Sequence, residues 1–489
     1  MIDDIGCICL ISDLPQYNAE LDEVIRIYFS LPIRHEMQDD AAMYIEHYHG
    51  LNGDKLEHTA NVYVNGECYS YSYAYRMLEK EDPLIEKRLE KRAAKIALYR
   101  ALLKLTKVEK PYGSLTGVRP TKLMRELYDR GLDGKEELMD TFDVQEEQAE
   151  QLRKILQVQD QIAIDREQVG IYIGIPFCVS RCSYCSFPAK VGKEQEKRVY
   201  LDALKREIAA CGEMLERQGK RPYALYIGGG TPTSLSAKML EELLDSCKRY
   251  IGTDLEFTLE AGRPDTIDEE KLKIAKEYGV GRICVNPQTM VERTLPRIGR
   301  SHSVESVYQA FALARKAGFD DINMDIIAGL PQEGIEDFDF TLQELQKMSP
   351  ESFTVHTLSL KRGSELIQQG VKHTPAEVIE EMLCHAQASA QKMGMHPYYL
   401  YRQKYMAGNF ANVGYAKPGA ECRYNIGMME ELTTVIALGV GGMSKRVEGE
   451  LIKRYPNPRD VKVYLERIDA LCKGKRDFFS VDMISPQNL

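Results

Sequence analysis

Residues 171–187 read IYIGIPFCVSRCSYCSF. A short run of apolar and β-branched residues, Ile171–Ile175, leads almost directly into Cys178, Cys182 and Cys185. Such a run predicts a β-strand. Three thiols this close together after a strand can ligate an iron–sulfur cluster. Three ligands for four irons leave one iron open to bind something else. A zinc knuckle is the competing reading, but zinc typically takes four ligands in two Cys pairs, and no second pair follows. Inert buried thiols are the remaining alternative.

Working outward, short apolar runs alternate with longer helical stretches. The runs are Ile171–Ile175, Tyr223–Ile227, Leu255–Glu260, Arg282–Asn286, Ile322–Ile327 and Phe353–Leu358. Helices are predicted near Gln195–Leu215, Ala237–Tyr250, Asp268–Tyr278, Val304–Ala317 and Ile335–Lys347. Strands joined by helical crossovers imply parallel pairing and right-handed βα units. Six units are fewer than the eight that close a full barrel. The expected fold is therefore α/β, an incomplete (β/α)6 TIM-like barrel whose lateral opening suits a large flat substrate. Chemistry in such folds gathers at the C-terminal ends of strands.

Unusual residues do fall at those ends. The second strand runs into Gly228-Gly229-Gly230-Thr231-Pro232-Thr233, where glycines expose backbone polar groups and admit a ligand closely. An ordinary tight turn would look the same. The third strand ends at Glu260, a carboxylate able to pair with an ammonium or a ribose, or simply a solvated surface group. The fourth leads to Asn286-Pro287-Gln288, and Arg300 follows. The fifth carries Asp325 in NMDIIAGLP. A charge inside an apolar run is unfavourable unless paired or at a barrel mouth.

The flanking regions are less explicit. Residues 1–165 read as an α+β domain, with strand-like runs Ile5–Ile11, Val24–Phe29 and Ala60–Val64 and helical patterns over Lys87–Leu105 and Val144–Asp165. Residues 166–362 form the expected barrel, and 363–489 a mostly helical or mixed C-terminal domain that covers the substrate. With 64 Lys plus Arg against 74 Asp plus Glu, the net charge is -10, which argues against nucleic acid as a partner. No apolar run reaches the roughly 18–20 residues of a membrane span. The start, MIDDIGCICLISD, is acidic and lacks a basic n-region, so a cytoplasmic protein is expected. Twelve Cys in a large reduced protein are not a disulfide framework. Cys7, Cys9, Cys211, Cys247, Cys284, Cys384 and Cys472 are expected in the core. Cys422 is a candidate for the substrate side. His302 is either a polar turn residue or a group that assists a cofactor.

Cys-x₃-Cys-x₂-Cys, GGGTPT and the strand-end Glu, Gln and Asp together resemble the radical S-adenosylmethionine superfamily. More narrowly they resemble the oxygen-independent coproporphyrinogen III oxidase group, over about 171–445. PYGSLTGVRPTKL, PYYLYRQKY and NVGYAKPG look like its HemZ-type coproporphyrinogen dehydrogenase branch. The resemblance implies that Cys178, Cys182 and Cys185 hold a [4Fe-4S] cluster. It implies that Tyr172, Gly229, Gly230, Thr231, Glu260, Gln288, Arg300 and Asp325 hold S-adenosylmethionine on the open iron. Tyr184, Ser359 and Met443 fall where the oxidase touches a second S-adenosylmethionine. The implied reaction is oxidative decarboxylation of coproporphyrinogen III propionates to vinyls, giving protoporphyrinogen IX. A low-potential electron donor such as flavodoxin or ferredoxin is the implied partner. Arg402 and Lys404, among the aromatics of 398–405, are candidates to clamp propionates; a solvent-facing strand is the alternative.

Two positions depart from the oxidase pattern. Phe187 stands where it has a fourth Cys, and Gly174 where it typically has His. Phe187 is shared with haem-chaperone relatives, so a haem-binding chaperone is the rival reading, with another radical reaction on a tetrapyrrole as a third. The chaperones carry a His-Asn-x-x-Tyr-Trp motif. Here the matching stretch, Tyr424–Met429, keeps only the Asn, although Met can ligate haem iron. The chain has no Trp, so that motif is nowhere complete.

Overall fold

The computed structural model describes residues 6–76, 83–117, 119–185, 187–359, 366, 371, 374–402, 409–449 and 451–480. The chain divides into two compact units, Met1–Arg153 with Arg402–Phe410, and Lys154–Tyr401 with Ala411–Leu489.

The first unit is built on a five-stranded sheet in the order Ile33–Arg34, Cys7–Ser12, Ala41–Asn52, Lys55–Val64, Glu67–Arg76. Asn65 and Gly66 turn the last hairpin with φ of 52° and 82°, the left-handed pair that a two-residue hairpin requires. The helix Pro83–Thr106 packs on this sheet; Ala94, Ala97, Leu98 and Leu102 join Ile8, Met43, Ile45 and Val62 in one core. The run Val24–Phe29, expected as a strand, is instead the end of a helix, Asn18–Ile25, and its following turn. Leu21, Val24 and Ile25 are all buried, the i, i+3, i+4 spacing of one helical face.

The second unit holds the expected barrel strands. They are β1 (Val169–Ile175), β2 (Pro222–Gly229), β3 (Glu256–Gly262), β4 (Arg282–Val285), β5 (Asp321–Ala328) and β6 (Ser352–Thr357). All neighbours pair in parallel. The helices that follow β1 to β5 are α1 (Glu194–Arg217), α2 (Ala237–Tyr250), α3 (Glu269–Glu277), α4 (Val304–Lys316) and α5 (Ile335–Met348). Each lies where its apolar periodicity predicts. Residues such as Ile171, Ile173, Leu225, Ile227, Ile283 and Ile326 are wholly buried, as strands covered on both faces require.

Later segments extend the same sheet at both edges. β7 (His396–Tyr401) and β8 (Asn412–Ala416) add beyond β6, with β8 antiparallel to both neighbours. β7 therefore runs in the direction of the barrel strands. At the other edge, β9 (Thr434–Gly439) pairs in parallel with β1, followed by the antiparallel hairpin β10 (Met443–Glu448) and β11 (Leu451–Pro456). Among the described residues the sheet order is β7-β8-β6-β5-β4-β3-β2-β1-β9-β10-β11. The partial barrel thus gains a seventh parallel strand, β9, whose fully buried run TVIALG has no period to mark it.

Three cysteines differ from expectation. Cys384 is exposed rather than in the core, and Cys472 is half-buried. Cys422 is buried, and its thiol donates to Glu256 at 3.3 Å. Glu256 opens β3, so Cys422 sits at the end of the barrel opposite the strand C-termini and is not on the substrate side.

Candidate active site

The cysteine loop is held by backbone bonds that its own sequence can form. Ile175 ends β1, and Gly230 and Thr231 donate to the carbonyls of Ile175 and Phe177, both at 2.7 Å. The loop is pinned from the opposite side as well. Ser183 N–H donates to Ile298 O at 3.1 Å, and Ser180 Oγ to Gly299 O at 3.3 Å. The fully desolvated Arg263, just past β3, donates to Ser180 Oγ at 2.6 Å, to Ser301 Oγ at 2.9 Å and to Asp265. Cys178, Cys182 and Cys185 are all half-buried. Cys185 N–H donates to Cys182 O at 3.1 Å, and Thr231 Oγ1 donates to Cys178 Sγ at 3.5 Å. Burial pushes the Cys178 and Cys185 thiols up, and each thiol feels the charge of Cys182. Among the described residues no three His, Cys, Asp or Glu side chains are gathered around a single metal-ion position.

The rim around this loop joins the other predicted residues. Tyr172 on β1 is in register with Tyr226 on β2, and their rings stack at 6.4 Å. Tyr226 Oη donates to Glu260 Oε1 at 2.6 Å, and Gly229 N–H to Glu260 Oε2 at 3.3 Å. Burial raises the Glu260 carboxyl to about 7, with the charge of Asp325 acting in the same direction. Gln288 has φ +67°; its N–H donates to Asp325 O and its carbonyl accepts from Ile327 N–H, both at 2.9 Å. That strained residue is clamped onto β5, as strain at a binding site requires. Arg300 is buried and donates to Asn286 O at 2.9 Å and to Tyr184 Oη at 3.1 Å. It also lies within hydrogen-bonding reach of the Cys182 thiol. Ser359 lies half-buried past β6, and Met443 opens β10 with 37 % exposure. His302 is buried, and burial lowers it to about 4, so it is a neutral packed side chain rather than an exposed turn residue.

These residues suit a cluster with a small polar ligand beside it. A Cβ on Gly230 would stand 2.6 Å from Phe177 O and 3.0 Å from Cys178 Sγ, and one on Gly228 2.6 Å from Glu260 Oε2. Gly228 and Gly230 thus leave no room for a side chain against Glu260 and the cysteine loop. Nearby, Arg300 Nε and Asn286 Oδ1 are buried without a protein partner, which marks a place for a polar group from outside the chain.

The segment after β7 behaves differently from expectation. Arg402 belongs to the first unit, where it donates to Leu115 O at 2.5 Å and to Asn409, and covers the Tyr112 ring at 4.5 Å. It neither faces solvent nor is free to clamp a propionate. Lys404 lies outside the described residues. Two lumen residues, Tyr226 and His356, lie outside the set the sequence motifs point to. His356 does carry a sequence signal: Ser352, Thr354 and His356 alternate with the buried Phe353 and Val355 on β6, which puts the polar set on one face.

Three thiols on a loop after β1, a glycine floor after β2 and carboxylates on β3 and β5 define a radical S-adenosylmethionine protein. The radical SAM superfamily profile matches residues 172–345. The oxygen-independent coproporphyrinogen-III oxidase-like protein HemZ of Bacillus subtilis is 40% identical over 380 residues, covering 74% of this chain and 76% of the relative. The haem chaperone HemW of the same organism is 34% identical over 52% of this chain and 65% of its own length. The solved coproporphyrinogen III oxidase HemN of Escherichia coli shares the fold, with TM-score 0.52 at 21% identity over 64% of this chain and 72% of that one. The chain belongs to the radical SAM superfamily and, within it, to the HemZ-type oxygen-independent coproporphyrinogen-III oxidase-like family. The cofactors of that superfamily are a [4Fe-4S] cluster and S-adenosylmethionine. No helix among the described residues is long and apolar enough to cross a membrane.

Proposed function

We propose that the chain is a tetrapyrrole-modifying enzyme that decarboxylates propionates of coproporphyrinogen III to vinyls, giving protoporphyrinogen IX. The observation that carries this is the continuity of the site: cysteine loop, glycine floor, Glu260, Gln288, Arg300 and Asp325 all stand on one rim of the barrel. The HemZ-like relative, matched over three quarters of both chains, supports the substrate class.

In this reading Cys178, Cys182 and Cys185 each hold one iron and leave the fourth open. Glu260 accepts the ligand's ammonium, and Asp325 accepts its ribose hydroxyls. Gly229, Gly230 and Thr231 let it lie against the backbone, with Tyr172 closing one side; Tyr184, Ser359 and Met443 serve a second S-adenosylmethionine. When bound, the cluster and S-adenosylmethionine supply a 5′-deoxyadenosyl radical that takes a hydrogen atom from carbon. The lumen walls exclude water from that step. A propionate that has lost one hydrogen atom to that radical, CO₂, and one electron to a one-electron acceptor separate from the electron donor is a vinyl group. A flavodoxin- or ferredoxin-like protein supplies the low-potential electron, and no nucleic acid is bound.

A haem chaperone is the second reading, favoured by the HemW relatives and by Phe187. Against it, Met428 and Met429 are partly buried against the apolar cluster of Tyr223, Tyr398 and Ile426, which occupies the side chains that would ligate haem. The deciding experiment is anaerobic reconstitution with iron and sulfide, then S-adenosylmethionine, dithionite, coproporphyrinogen III and an added one-electron acceptor. Release of two CO₂ per porphyrinogen with 5′-deoxyadenosine supports the oxidase. Deoxyadenosine without CO₂ moves the substrate elsewhere among tetrapyrroles. Stoichiometric haem binding without turnover would make the chain a chaperone.

A further inference from the structure

One polar chain in the barrel lumen runs from Asp325 to side chains that have no role assigned so far. Asp325 on β5 has its Oδ2 3.6 Å from His356 Nε2 on β6. The other ring nitrogen, His356 Nδ1, is 3.1 Å from Tyr401 Oη at the end of β7. Asn323 Nδ2 donates to Asp325 Oδ1 at 2.9 Å, and Ser352 Oγ donates to Asn323 Oδ1 at 3.1 Å. Tyr401 is fixed in turn by stacking on Tyr399 at 6.3 Å, whose hydroxyl is 3.3 Å from Thr354 Oγ1. Because β7 runs in the barrel direction, Tyr401 arrives at the same rim as Asp325. Thus Tyr399 and Tyr401 reach the lumen although Arg402 turns away.

From this geometry we infer that His356 is a positioning residue for Asp325, and through it for S-adenosylmethionine. In the tautomer this role uses, the imidazole hydrogen is on Nε2, on the side of the Asp325 carboxylate, and Nδ1 accepts from Tyr401 Oη. A histidine whose second nitrogen is fixed in this way keeps one tautomer and one ring orientation. Asp325 then has Asn323 on one oxygen and His356 beside the other. Burial opposes the Asp325 charge, but His356, Asn323 and Thr354 outweigh it and hold the carboxyl below its usual range. The charged and titratable groups that face His356 are Asp325 on β5, Tyr401 on β7 and, at longer range, Glu260 on β3. His356 and Asp325 are 28 % and 18 % exposed, so the pair reaches the lumen rather than a sealed core. Gly174, with no side chain, stands on β1 across the sheet.

The inference rests on the radical S-adenosylmethionine reading of the site, and the test separates the two. Wild-type protein is reconstituted, and S-adenosylmethionine affinity is measured from the change in the electron paramagnetic resonance signal of the reduced cluster. His356→Ala and His356→Phe are expected to lower affinity about 10-fold or more, the range for loss of a supporting hydrogen-bond partner. His356→Gln keeps an N–H toward Asp325 and is expected to stay within about 3-fold of wild type. Tyr401→Phe removes one hydroxyl with little change in packing and is expected to fall between. Asp325→Asn with His356→Ala is expected to lose no more than Asp325→Asn alone. Iron content and thermal midpoint are measured for each variant. A His356→Phe or Tyr401→Phe protein that keeps its cluster and binds like wild type overturns the inference alone. A wild-type protein whose signal never responds to S-adenosylmethionine overturns the site reading instead.

Discussion

Tyr226 Oη donates to Glu260 Oε1 at 2.6 Å inside the barrel, and the carboxyl it holds titrates at about 7. Burial is the main cause, with Asp325 adding like charge and the bonds from Tyr226 and Gly229 opposing. Below that value Glu260 is neutral, above it an anion. An ammonium pairs only with the anion, so its arrival expels the proton. S-Adenosylmethionine affinity should therefore fall up to about tenfold per pH unit below 7 and level off above it. Titration calorimetry in two buffers of different ionisation heat should show proton release near pH 6.5. Glu260→Gln should bind weakly and without this slope; a slope that survives the substitution assigns the proton elsewhere.

Gly230 is the tightest point between the glycine floor and the cysteine loop. A methyl there would be 2.6 Å from Phe177 O and 3.0 Å from Cys178 Sγ, and neither the backbone nor a cluster ligand can give way. Gly230→Ala should reconstitute with less than about half the wild-type iron, because cluster binding needs all three thiols aimed together. By contrast Gly219→Ala, with nothing within 4 Å but φ +61°, should lose only stability, about 1 kcal/mol. Iron assay and 400 nm absorbance distinguish the two.

The parts of the site that are readable in sequence are those whose chemistry is local. Cys178, Cys182 and Cys185 announce themselves by spacing, and Asp325 by being a charge inside an apolar run. β1 to β6 follow from length and alternation with helices. The misreadings share a cause. Val24–Phe29 resembles a strand only when Leu21 is ignored, and β9 is a run that tertiary pairing with β1 alone defines. Arg402 sits beside four aromatics in sequence, yet its guanidinium goes to Leu115, some 287 residues away. His356 acquires meaning only once parallel pairing sets it beside β5.

In the first unit, His47 Nε2 is 3.1 Å from His58 Nδ1, and both side chains are fully buried. Burial lowers them to about 4 and about 3, so the folded unit keeps them neutral. The unfolded chain protonates them near 6.5. The unfolded state thus binds more protons below 6.5, and stability is full above that value and falls as pH drops toward 4. The loss should reach a few kcal/mol by pH 4.5. Denaturant titrations that follow unfolding of this unit between pH 7 and 4.5 should show it. A midpoint constant over that window would mean the pair is not held neutral.

Glu207 and Lys475 form a buried ion pair in the second unit, with exposures of 1 % and 4 %. Glu207, on α1, also accepts Gly439 N–H at 2.7 Å, Tyr464 Oη at 2.7 Å and Asn457 Nδ2 at 3.0 Å. Burial opposes its charge, but Lys475 and these donors outweigh it and hold the carboxyl below its usual value. Lys475 comes from the helix Ile468–Ser480, so one carboxylate ties that helix to the end of β9. Removing only the cation strands the carboxylate: Lys475→Met should lower unfolding free energy by about 3–5 kcal/mol. Glu207→Gln with Lys475→Met removes both charges and should recover part of the loss, since a buried pair replaced by neutral groups of similar size is often tolerated. The stabilisation is present above the unfolded value near 4.5 and is lost as pH falls through the lower folded one. Urea titrations of the wild type and the two variants at pH 7 decide it; if the double variant is no better than the single, the defect is packing around Tyr464 rather than stranded charge.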